Sequence, residues 1–112
     1  MFEKLITLIE EHPRYGPALK EAVEARAKLV LNYHTHGDPA SYCVAICAAE
    51  PNPIQVLGSG EDLRELAHVQ GIGTSEDDCL PLMATLGGEL SEHYGLERNP
   101  LIYLNGEPLR AS

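Results

Sequence analysis

Basic residues are scarce in this chain of 112: eight Lys and Arg stand against seventeen Asp and Glu, a formal net charge of −9. The shortage is also uneven. From Met1 to Lys28 five acids balance five bases, whereas from Asp38 to Glu97 eleven acids face one base, Arg64. Nucleic acid needs several Lys or Arg against its phosphates, and an anionic membrane surface needs the same, so the sequence predicts neither partner. Long apolar runs are missing too. Val44–Ala49 is cut off by Glu50, far short of the ~20 residues of a membrane-spanning helix. Equally absent is any stretch polar or repetitive enough to stay disordered, and 44% apolar residues is the share of a globular chain. The opening MFEKLITLIEEH carries acids inside its apolar pattern and no small-residue cleavage site, which predicts a helix rather than a signal peptide. With only three cysteines, reduced thiols and a cytoplasmic location are expected.

What is present has clear periodicity. Phe2, Leu5, Ile6 and Ile9 recur at helical spacing, so residues 3–11 should form an amphipathic helix that Pro13 ends. Pro17 suits the start of a second helix, whose apolar face is Leu19, Ala22, Val23 and Ala27. From Lys28 the pattern alternates through KLVLNYHTH, which is a strand. GDPA then turns the chain into SYCVAICAA, a strand apolar on both faces and therefore central in its sheet. IQVLG reads as a short third strand. Ser59 with Asp62 forms a capping box that opens a helix over 61–70, closed by Gly71. A further helix should run from about Asp78 to Tyr94, with Gly87-Gly88 tolerable where the backbone is closely approached. LIYLNGEPL is a hairpin on Asn105-Gly106, and Pro108 marks its second strand as an edge. The expectation is a single α+β domain over 1–112. Its sheet should be mainly antiparallel, of about five strands, with helices packed on one face in the order α-α-β-β-β-α-α-β-β.

The chemistry concentrates in LNYHTHGDPASYCVAIC, residues 31–47. If Gly37–Ala40 is the loop, the hairpin register sets His36 opposite Ser41, His34 opposite Cys43 and Val30 opposite Cys47. Directly opposed Cβ atoms lie about 4.5–5.5 Å apart, so His34, His36 and Cys43 can converge on a zinc ion. Cys47 cannot join them, because four residues along a strand span about 13 Å. A fourth ligand would have to be Asp38, Ser41, water, or a distant residue such as His68, Cys79 or His93. The other reading is an ordinary turn, with solvent-facing histidines and a cysteine packed as a small hydrophobe.

HPRYGPALKEAVEARAKLVLNYHTHGDPAS, about a quarter of the chain, resembles the JAMM-type metallopeptidases, in which a helix leads into a strand ending in His-x-His. The resemblance implies His34 and His36 as zinc ligands and Ser41 on the oxyanion side. It also implies an Asp ligand three residues after the serine, where this chain has Val44, and a Pro-Ser after the second histidine, which it lacks. The implied site is therefore short of its carboxylate.

No complete catalytic constellation emerges. The leading expectation is a non-enzymatic protein, without a cofactor, that binds a protein partner or forms a homodimer. Its surface would include Tyr103 and Leu104 of the C-terminal hairpin and an acidic face carrying Glu61 and Glu65, one helical turn apart. The alternative is a zinc-dependent, hydrolase-like protein centred on His34, His36 and Cys43. The acidity itself is equally accounted for by solubility.

Overall fold

A computed structural model describes residues 1–36, 41–51, 61–70 and 79–108. Its elements are α1 (Glu3–Glu11), α2 (Tyr15–Glu24), β1 (Lys28–His36), β2 (Ser41–Pro51), β3 (Glu61–Gln70), α3 (Cys79–Tyr94), β4 (Leu101–Leu104) and β5 (Glu107–Pro108). The five strands form one sheet in the order β3-β2-β1-β4-β5. The α+β class, the largely antiparallel sheet and the helices on one face all follow the sequence expectation. The expected loop at Gly37–Ala40, the strand IQVLG and the cap at Ser59 lie outside the described residues.

One element is corrected. Residues 61–70, expected as a helix, form strand β3, which leaves three helices rather than four. The reason lies in the pairing with β2. Ile46 faces Ala67 but Cys47 faces Glu65, so Leu66 is an extra, bulged residue. Leu66 and Ala67 are both buried in the helix-side core. Two consecutive inward residues break the period of two, and Leu63, Leu66 and Ala67 then mimic the i, i+3, i+4 spacing of a helix.

The β1–β2 register is as read from the sequence, with His34 opposite Cys43, His36 opposite Ser41 and Val30 opposite Cys47. Odd residues of β1 and even residues of β2 point to the helices. Leu29, Leu31, Tyr33, Val44, Ile46 and Ala48 there meet Ile6 and Ile9 of α1, Leu19 and Ala22 of α2, and Met83, Leu86 and Leu90 of α3. This is the main core. A Cβ at Gly87 would sit 3.6 Å from Leu31 Cδ1 and 3.5 Å from Pro100 Cδ, ordinary van der Waals contact, so the approach of α3 to the sheet does not depend on a missing side chain there. Gly88 has no such neighbour. The opposite face carries a smaller cluster of Val30, Ala45, Cys47 and Tyr103.

Local chemistry fixes the corners. His12 Nδ1 accepts the N–H groups of Arg14 and Tyr15, both at 3.1 Å, and its ring stacks on Tyr15 at 3.8 Å. It thus satisfies donors that the start of α2 leaves free. Asn105 and Gly106 have φ of 49° and 82°, as a type I′ hairpin turn requires. This turn is latched to β1: Asn105 N–H donates to the Tyr33 carbonyl at 2.9 Å, and Gly106 N–H to Asn32 Oδ1 at 2.9 Å. β4 is parallel to β1 and antiparallel to β5, so Tyr103 and Leu104 are paired on both sides. The edge that Pro108 marks is β5, the last strand of the sheet, as expected.

Candidate metal centre

The helix-free face of the sheet is where imidazole and thiol meet. On β1 it presents Val30, Asn32 and His34, and on β2 Cys43, Ala45 and Cys47, by strand alternation. β3 enters this face through its bulge. Below the bulge Leu63 and Glu65 lie opposite Ala49 and Cys47; beyond it His68 lies opposite Ala45. An unbulged strand would continue the odd phase and send His68 to the helix side. The extra residue Leu66 resets the phase and brings His68 beside Cys43 and His34.

The outcome is a three-residue cluster, one residue from each of three adjacent strands. The ligand-type atoms of His34, Cys43 and His68 all lie within 4.8 Å of one another. The imidazole rings of His34 and His68 are 5.4 Å apart, inclined at 39°. Cys43 is buried at 1% exposure, and the two histidines are half-buried. Ligand atoms around a tetrahedral zinc stand ~3.5 Å apart, given Zn–N near 2.0 Å and Zn–S near 2.3 Å. From a separation of at most 4.8 Å the donors would have to close by about 1 Å to share one ion. The donor set, two imidazoles and a thiolate, suits zinc and its borderline-soft neighbours rather than magnesium or calcium.

Of the residues singled out from sequence, His34 and Cys43 take part in this cluster. His36 shares their strand face by backbone position, but its side chain lies outside the described residues. His68, a distant candidate for a fourth ligand, belongs to the cluster. Cys79 is buried in the helix-side core, and His93 contacts Glu10 at 3.0 Å on α3, so neither reaches this face. Cys47 stays an ordinary thiol: burial first, and then the facing Glu65 carboxylate, push it up to about 11.

The proposed partner surface is dispersed. Tyr103 is buried at 5% exposure and Leu104 packs against the main core. Glu61 and Glu65 lie on a strand, about 13 Å apart rather than one helical turn. Glu65 is exposed on the helix-free face, whereas Glu89 and Glu92 sit on α3 across the sheet. Among the described residues, carboxylates thus lie on both sides of the sheet. Arg64, the lone base of the acidic stretch, pairs with Glu50 at 2.6 Å. No described helix is long and apolar enough to cross a membrane.

No family model matches the chain, and neither a curated protein nor a solved structure does.

Proposed function

We propose that the protein is a small metal-binding domain that holds one zinc-class ion with His34, Cys43 and His68. The observation that carries this reading is the convergence of three donor atoms within 4.8 Å from three separate strands. The two half-buried histidines flank a buried cysteine, with one residue supplied by each of β1, β2 and β3. Three protein ligands leave one tetrahedral position for water or for a group from a substrate or acceptor. That arrangement serves either to activate a water or to pass an ion on.

The test is metal stoichiometry and ligand identity. The purified protein should bind one equivalent of zinc, and its cobalt form should show the thiolate charge-transfer band of a cysteine-ligated ion. Cys43→Ala should abolish the band, and His68→Ala should weaken binding by about 100-fold or more. Loss of binding in His36→Ala with retention in His68→Ala would move the site to the hairpin triad read from sequence.

A second reading, self-association, is supported by β3. Among the described residues no strand pairs with its outer side, and it is ten residues long. Against it, the bulge and exposed Asp62, Arg64 and Glu65 are devices that blunt such edges, so this reading ranks below the metal one. Sedimentation at micromolar concentration distinguishes the two, since pairing through β3 gives a dimer with or without zinc.

A further inference from the structure

A second feature lies at the opposite end of the sheet strands, independent of the metal centre. Helices α2 and α3 end in the same way. Ala27 N–H donates to the Ala22 carbonyl at 3.0 Å, and Leu96 N–H to the Ser91 carbonyl at 2.9 Å, both bonds reaching five residues back. Each motif needs one residue in the left-handed region just past the helix. In α3 that residue is Gly95, φ 65°; in α2 it is Arg26, φ 56°. The two turns then feed neighbouring parallel strands, with Val30 opposite Leu101. Between them is a partly open cavity of about 520 Å³.

Its walls are of two kinds. Val23, Ala27, Leu29, Leu96 and Pro100 give apolar surface, and Leu101 adds a side chain half-exposed to solvent. The polar lining carries Arg26, Lys28 and Arg98 against one acid, Glu97. Three of the eight Lys and Arg in a chain of charge −9 therefore gather at one cavity. Among the described residues neither Arg26 nor Arg98 forms an ion pair. Arginine is also an ill-suited residue for a left-handed position, where glycine is the usual choice and its neighbour turn uses one. Strained positions of this sort gather at ligand sites.

We infer that this cavity binds a small organic anion, a carboxylate or phosphate ester with an apolar body, its charge held by Arg26 and Arg98 and its body laid against Leu96 and Leu101. The volume falls within the ~300–1,000 Å³ of small-molecule sites, and guanidinium groups match the forked geometry of both anions.

Basic side chains near helix C-termini also stabilise those ends without any ligand. The experiment separates the two roles. Phenyl phosphate, benzoate and inorganic phosphate are titrated into the metal-free protein while backbone amide resonances of residues 95–99 and of Leu101 are followed. Phenyl phosphate or benzoate should shift them and saturate at low millimolar concentration or below, with inorganic phosphate about tenfold weaker for want of apolar contact. Arg26→Gly keeps the left-handed turn, so the variant stays folded and its binding should fall about fivefold or more. Arg98→Gln should do the same, and Lys4→Gln, on α1, should bind like the parent protein. No shift with any of the three at about 10 mM, or equal affinity in Arg26→Gly and the parent, would overturn the inference.

Discussion

Single residues separate the three cysteines into different chemistries. Cys43 lies beside two imidazoles, Cys79 in the main core, and Cys47 among Val30, Ala45 and Tyr103 on the other face. Cys47 is driven strongly toward the neutral thiol, its proton held to about 11 by burial and by Glu65. An unfolded thiol ionises near 9.0, so between 9 and 11 the unfolded chain binds fewer protons than the folded one. The stability that this group contributes is complete below 9 and is lost as pH rises through 11. Two outcomes are expected. Iodoacetamide should leave Cys47 unmodified in the native protein at pH 8 while labelling it readily in urea. Native stability from urea titrations should fall between pH 9 and 11, and Cys47→Ala should flatten that fall. A native Cys47 alkylated as fast as a free thiol would contradict the assignment.

At the scale of elements, the strands whose side chains alternate were legible and the one that does not was not. KLVLNYHTH alternates and SYCVAICAA follows it across a short turn, so their register and the pairing of His34 with Cys43 could be read directly. α1, α3 and the Asn105-Gly106 turn were equally plain, because helical spacing and left-handed turn chemistry are local signals. β3 hid behind its bulge, and with it went the third member of the His/Cys cluster. Only pairing with β2, a non-local fact, reveals that His68 lies opposite Ala45. The bulge itself can be tested. Deleting Leu66 leaves Glu65 facing Cys47 and Ala67 facing Ile46, so the ladder closes up and His68 keeps its face. Zinc affinity should stay within about threefold, while stability drops by roughly 2–4 kcal/mol for the lost buried leucine. In a helix the same deletion would rotate His68 by about 100° and remove it from the cluster. Urea unfolding and zinc titration of the deletion variant measure both.

For the molecule as a whole, the metal reading has a thermodynamic consequence that contacts alone do not. The three donors come from β1, β2 and β3, and residues 34 and 68 are brought together only when the sheet is assembled. An unfolded chain cannot present them together, so under the metal reading zinc should bind the native state preferentially and stabilise it by mass action. At a hundredfold excess over Kd the gain is about 2.7 kcal/mol. In a domain of this size that raises Tm by roughly 10 °C. The ion also adds positive charge to a chain of net charge −9, which reduces its self-repulsion. Because imidazole and thiolate bind metal only when deprotonated, the gain should shrink as the solution is made more acidic. Thermal unfolding with zinc, with a chelator, and with Cys43→Ala gives the comparison. The parent protein should lose its zinc-dependent rise in the chelator, and Cys43→Ala should show no rise at any zinc concentration. A rise that persists in Cys43→Ala would place the ion elsewhere on the acidic surface and remove the sheet cluster as its site.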